Sequence, residues 1–236
     1  MEIRAVLFDL DNTLTHRNQS IHAYVDCLIQ YYQQNMKYNQ RDQIIEIIHR
    51  IDNGGYPIKA LLTHPSIAES VAYALLQEII WTSPPSVNEL TQFWFQQFAK
   101  NAVAMHGAAH LLLELQKQNL KLAVVSNGGH ATRLSILQGL GFYSYFDTIV
   151  SSESVGISKP NIEIFLETSH QLQVDPKHCL VVGDHPINDI LGAQNAGMHA
   201  VWMQGFHAKT LNVRHCIQHL SQVLDMIKNS FKTHLR

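Results

Sequence analysis

Five short apolar runs, each ending abruptly in a polar or glycine-rich turn, constrain the fold of this chain more than any other feature. Residues 4–9 (Arg-Ala-Val-Leu-Phe-Asp), 121–126 (Lys-Leu-Ala-Val-Val-Ser) and 179–184 (Cys-Leu-Val-Val-Gly-Asp) are the strongest of them. Residues 147–151 (Asp-Thr-Ile-Val-Ser) and 199–203 (His-Ala-Val-Trp-Met) are weaker. Continuous apolar runs, rather than alternation, mark strands covered on both faces. Helical patterns follow most of them. Ala108–Gln118 carries Leu111, Leu112 and Leu115 on one face, and Ala131–Leu140 follows Gly128-Gly129. Asn161–Leu172 follows Pro160, which suits a first helical turn, and Ile187–Ala196 ends at Gly197, a good stop. Ile217, Leu220, Leu224 and Ile227 fall at helical spacing over residues 217–227. Strand alternating with helix predicts an α/β fold built on a doubly wound parallel sheet.

Residues 16–101 break that rhythm. They contain no convincing strand, and Tyr24–Met36, Arg41–Ile51, Ile67–Ile80 and Asn88–Asn101 each read as a helix. The breaks fall at Asn53-Gly54-Gly55-Tyr56-Pro57, His64-Pro65-Ser66 and Ser83-Pro84-Pro85. The sequence therefore predicts a core made of residues 1–15 and 102–236, with an all-helical domain inserted directly after the first strand.

Composition narrows the partners. Apolar residues make up 46% of the 236-residue chain and charged ones only 15%, with a net charge of −2. Such a surface offers no electrostatic reason to expect nucleic acid or an acidic membrane. The fifteen histidines are scattered and read as surface polarity. Cys27, Cys179 and Cys216 are far apart and odd in number, which suits a reducing compartment. No signal segment or membrane span is read, so a cytoplasmic location is expected.

In open α/β sheets, ligands bind beyond the carboxyl ends of the strands. Strand one ends in Asp9-Leu10-Asp11-Asn12-Thr13, and strand two in Ser126-Asn127-Gly128-Gly129. The fourth ends in Gly183-Asp184, with Asp189 in the next turn, and Lys159-Pro160 opens the helix before it. Carboxylates gathered at adjacent strand ends repel one another unless a cation or a proton lies among them. Oxygen-only ligands of this kind suit Mg²⁺. Each signal alone is weak; four of them, in this order and each closing a predicted element, are not.

These motifs resemble those of the haloacid dehalogenase-like hydrolases, in their phosphatase branch. Phe8-Asp9-Leu10-Asp11-Asn12-Thr13-Leu14-Thr15 is similar to the family's first motif and Ser126-Asn127-Gly128 to its second. Ser158-Lys159-Pro160 is similar to the third, and Gly183-Asp184-His185-Pro186-Ile187-Asn188-Asp189 to the fourth. The resemblance covers the core and implies a Rossmann-like fold there; the helical insert resembles a C1-type cap in position and character, though its sequence carries no matching motif.

The resemblance implies Asp9 as nucleophile, forming an aspartyl-phosphate, and Asp11 as general acid and then general base. It implies Mg²⁺ as cofactor, held by the Asp9 carboxylate, the Asp11 backbone carbonyl and Asp184, with Asp189 close by. Ser126, the Asn127 backbone N–H and Gly128 would hold the phosphoryl oxygens, with Lys159 countering charge. Asn12 replaces a common glycine, but Asn tolerates left-handed geometry. Thr13 is expected either to hydrogen-bond near this turn or to cap it, and His185 and Asn188 either to face the site or to line an exposed loop.

The substrate expected by resemblance is a small phosphorylated metabolite: a nucleotide, a sugar phosphate or phosphoglycolate. Arg41, Arg50, Lys59 and His64 are candidate contacts for a second anionic group. A sugar phosphomutase and a non-catalytic phosphate-binding module are the alternatives on the same core. Dehalogenase chemistry needs neither an acid two residues beyond the nucleophile nor a metal, so Asp11 argues against it. A phosphoryl-receiver domain would carry its aspartate on a middle strand of the sequence, not the first.

Overall fold

The computed structural model describes residues 2–208 and 212–230. The chain divides into two compact units, residues 1–15 with 104–236 and residues 16–103.

The first unit is built on a parallel sheet of six strands: β1 (Ala5–Phe8), β2 (Lys121–Ser126), β3 (Thr148–Ser151), β4 (Cys179–Gly183), β5 (His199–Met203) and β6 (Cys216–Ile217). Their order is β3-β2-β1-β4-β5-β6, so the sheet winds outward in both directions from β1. Phe8 pairs with Val124 on one side and Val182 on the other, which brings the ends of β1, β2 and β4 level. Every residue of β1 and β4 is buried, as their unbroken apolar sequences require.

The remaining elements are numbered in chain order. The inserted unit holds α1 (Arg17–Tyr31), α2 (Arg41–Asp52), α3 (Ile67–Glu78) and α4 (Val87–Gln97). The sheet-bearing unit holds α5 (Ala108–Lys117), α6 (His130–Gly139), α7 (Ser152–Val155), α8 (Ile162–Leu172), α9 (Gly192–Asn195) and α10 (Gln222–Ser230). A core of Val181, Ile164, Phe165, Ile190 and Trp202 lies on one face of the sheet. Pro160 lies before the helical cap rather than in the first turn of α8, because Asn161 takes the cap and accepts from the Glu163 N–H.

Two further expectations are corrected in the sheet-bearing unit. Residues 187–196 do not form one α-helix: Pro186–Leu191 is a π-helical turn, and only Gly192–Asn195 is α-helical. The His185 Nδ1 accepts from the N–H groups of both Ile187 and Asn188, and the Asp189 side chain folds back to accept from the His185 N–H. These local bonds hold the wider turn, a device found often at functional sites. The helix read over 217–227 begins only at Gln222, because Ile217 is taken by β6 at the sheet edge.

The inserted unit packs around Tyr24, which has Trp94 at 4.9 Å and Phe98 at 5.7 Å between ring centroids. Ser66 and Ser86 cap α3 and α4, the latter in a reciprocal capping box with Glu89. Arg17 and Asp52 form a buried bidentate ion pair inside this unit, with the Arg17 guanidinium over the Phe98 ring. Among the described residues no helix is long and apolar enough to cross a membrane.

Candidate active site

The chain turns sharply after β1. The Asp9 N–H still bonds the Val182 carbonyl, so Asp9 stays in the sheet ladder. The Leu10 carbonyl then accepts from the N–H groups of Thr13, Leu14 and Thr15. Asn12 takes a left-handed φ of +58°, which its short polar side chain tolerates. Asp9 and Asp11 flank the start of this turn, and both are buried. The Thr13 hydroxyl is also buried, but it has no hydrogen-bond partner among the described residues, so neither role expected of it is seen.

Lys159 joins two of the carboxylates. Its Nζ donates to Asp9 Oδ1 at 2.5 Å, Asp189 Oδ1 at 2.6 Å and the Val125 carbonyl at 2.9 Å. Those three bonds use all three ammonium hydrogens. The Asn127 side chain fixes the Lys159 backbone, accepting from its N–H at 2.8 Å and donating to its carbonyl at 3.0 Å. That clamp occupies the Asn127 amide. The Gly128 N–H is likewise engaged, donating to Ser152 Oγ. Among the described residues, Ser126 Oγ makes a long contact with the Asn127 carbonyl.

Asp184 and Asp189 complete the cluster, and both are fully buried. Carboxylate oxygens of Asp9, Asp184 and Asp189 all lie within 4.8 Å of one another. The Asp189 Oδ2 accepts from the His185 N–H, and the Asp184 carbonyl from the Trp202 indole. Burial, together with the charges of Asp189 and Asp184, holds the Asp9 carboxyl well above the usual carboxylate range against the pull of Lys159. Asp184 is raised for the same first reason. Burial opposes the Lys159 charge, but Asp189 and Asp9 outweigh it and keep the ammonium protonated.

This donor set fits a hard divalent cation. Three buried carboxylates face one ammonium, which leaves two negative charges unbalanced when all are ionised. Asp9 Oδ2 is buried with no hydrogen-bond partner among the described residues. All the donors are oxygens, the chemistry Mg²⁺ prefers.

Gly183 is what lets Asp189 approach. A Cβ at that position would lie 2.5 Å from both the Asp189 Cβ and Cγ. Gly183→Ala is expected to displace the Asp189 carboxylate and to cost about 1–3 kcal/mol of stability through overpacking. Urea unfolding checks this, and an unshifted midpoint would show that Asp189 adapts freely.

Two site residues escape a motif-based reading. Arg133, on α6, is buried with its Nη2 3.3 Å from Asp11 Oδ2. Helical side chains lean back toward the helix N-terminus, so an arginine one turn into the helix after Ser126-Asn127-Gly128 was a readable signal. His207 places Nε2 3.2 Å from Asp184 Oδ2, with its ring 4.5 Å from that of His185. Nothing local in the sequence links residues so far apart. Of the proposed anion contacts, Arg41 is bound to Asp26 and Arg50 to Glu78 within the inserted unit. Lys59 lies on an exposed turn, and the His64 Nδ1 is 3.0 Å from the Thr63 hydroxyl.

Comparisons with known proteins agree with this architecture. The chain is 40% identical over 90 residues to a glyceraldehyde 3-phosphate phosphatase of Methanothermobacter thermautotrophicus, covering 38% of this chain and 40% of that protein. It is 34% identical over 120 residues to a pyrimidine 5'-nucleotidase of Escherichia coli, covering 50% of this chain and 53% of that one. The chain thus spans about half or less of the length of these curated relatives. Among solved structures, one described as a HAD-hydrolase of Bacillus subtilis bound to magnesium superposes with a TM-score of 0.73 at 24% identity, covering 96% of this chain and 99% of that one. The L-2-haloacid dehalogenase of Xanthobacter autotrophicus gives 0.72 at 18% identity, with the same coverage. At such identities these two likenesses speak for the fold. The model of the haloacid dehalogenase-like hydrolase family matches residues 3–197, and the chain belongs to that family.

Proposed function

We propose that this chain is a magnesium-dependent phosphatase that hydrolyses a small phosphate monoester through an aspartyl-phosphate on Asp9. The observation that carries the reading is the buried cluster of Asp9, Asp184 and Asp189, two of them bound to Lys159, with Asp11 two residues beyond the nucleophile. The named activities of the two curated relatives, a phosphatase and a nucleotidase, support the substrate class. In this reading residues 16–101 serve as the helical cap that the resemblance implies. The metal would be held by Asp9, Asp184 and the Asp11 carbonyl, with Asp189 alongside. When bound, such an ion neutralises charge between carboxylate and phosphate and polarises the phosphoryl oxygens.

An Asp9 carboxylate oxygen attacks phosphorus, and the bond to the ester oxygen breaks. That oxygen takes the Asp11 proton and leaves as an alcohol. Asp11, now a carboxylate, accepts a proton from water as the water oxygen attacks the phosphorus of the aspartyl-phosphate. The Asp9–phosphorus bond breaks, releasing inorganic phosphate and restoring both groups. Ser126 Oγ and the Asn127 N–H donate to the phosphoryl oxygens at the end of β2, and Lys159 holds Asp9 in line. Phosphate release from a panel of nucleotides, sugar phosphates and phosphoglycolate, with Mg²⁺ and with chelator, tests the whole reading. Release from none of them, or release indifferent to chelation, would sink it.

Asp184→Asn is expected to raise the Mg²⁺ concentration giving half-maximal rate by roughly 10–100-fold. Titrating activity against Mg²⁺ measures this. An unchanged requirement removes Asp184 from the ligand set.

A further inference from the structure

We propose that Arg133 is a positioning residue for the Asp11 proton transfer, a role that rests on the phosphatase reading. Three observations meet at its guanidinium. Nη2 faces Asp11 Oδ2 at 3.3 Å. The same nitrogen donates to the Asn127 carbonyl, in the turn that would hold the phosphoryl group. Gly128 leaves the space the guanidinium fills: a Cβ there would lie 2.9 Å from Arg133 Cζ, at a φ of +129° that side chains rarely adopt.

Arg133 therefore links the proposed acid–base residue to the proposed phosphoryl-binding turn through one group. The link is unlike ordinary core packing. The Arg133 side chain is only 10% exposed, yet its buried Nε has no hydrogen-bond partner among the described residues. A buried guanidinium with an unused donor is a poor choice for packing alone. Its charge has a use at the moment Asp11 releases its proton. The carboxylate that forms then faces a fixed cation, and its orientation toward the ester oxygen is held by the same contact. Lys159 cannot do this, since all three of its hydrogens are already donated elsewhere.

The test compares two esters of similar size. The 4-nitrophenolate of 4-nitrophenyl phosphate leaves without being protonated, whereas the alkoxide of 4-nitrobenzyl phosphate needs the proton. Arg133→Met and Arg133→Gln should each lower kcat on the benzyl ester at least about tenfold more than on the phenyl ester. Glutamine keeps a donor for the Asn127 carbonyl, so it serves if the methionine variant folds poorly. In an Asp11→Asn background, either substitution should cost nothing further on the benzyl ester. The ¹⁵N-detected guanidinium signals of Arg133 should also shift in Asp11→Asn. Equal losses on both esters, full additivity with Asp11→Asn, or unshifted guanidinium signals overturn this proposal alone. A wild type that hydrolyses neither ester overturns the phosphatase reading and this proposal with it.

Discussion

Asp9→Asn is expected to abolish phosphate release while leaving the fold intact. An amide oxygen is a far weaker nucleophile than a carboxylate, and loss of a nucleophile costs about 10⁴-fold or more in kcat. The substitution is nearly isosteric, and the Asp9 Oδ2 it replaces makes no hydrogen bond among the described residues. Lys159 keeps Asp189 and the Val125 carbonyl as partners. Asparagine also removes a buried carboxyl that burial, with the charges of Asp189 and Asp184, already holds well above its usual range. The metal-free variant should accordingly melt no lower than metal-free wild type. Phosphate release from 4-nitrophenyl phosphate and a melting curve in chelator measure the two effects separately. Hydrolysis at the wild-type rate would remove Asp9 as nucleophile.

Lys159→Met should damage the fold as well as the chemistry. The ammonium is buried and satisfied by Asp9, Asp189 and a backbone carbonyl. Removing it leaves three buried carboxylates without that cation, and breaking a buried pair costs about 3–5 kcal/mol. The sign of the pH dependence follows from the raised carboxyls. Burial already lifts Asp9 and Asp184 above their ordinary value of 3.8, and loss of Lys159 lifts Asp9 further. The folded state then holds protons that the unfolded chain has released. Stability therefore falls as pH rises past that value. Urea midpoints taken in chelator near pH 5 and near pH 8 should separate more widely for the variant than for wild type. Midpoints that separate equally would show that Lys159 does not carry the balance of charge.

The sheet was legible because its strands are covered on both faces. A run such as Leu180-Val181-Val182 has no alternation to mislead, and it ends where Gly183-Asp184 must turn. The four long helices of the inserted unit were legible from apolar spacing and from breaks at Pro and Gly, although α1 spans Arg17–Tyr31 rather than Tyr24–Met36. Strand β6 was not readable, since two residues carry no period and its partner lies in β5. The π-helical turn after β4 was not readable either. Its apolar spacing resembles an α-helix, and only the bonds of His185 and Asp189 widen it.

By itself, the sequence determined which residues stand at the strand ends: Asp9 and Asp11 after β1, Ser126 as the last residue of β2, Asp184 and Asp189 after β4. It does so because apolar runs and their polar stops are local properties of the chain. Tertiary structure alone decided how charge is shared among them. Lys159 lies 150 residues beyond Asp9 in sequence, with the whole inserted unit between them, yet folding brings it within 2.5 Å. The same folding turns Arg133 back toward Asp11 and His207 toward Asp184. Coulomb interactions at these distances depend on position in space and on burial, and neither is written in the spacing of residues along the chain.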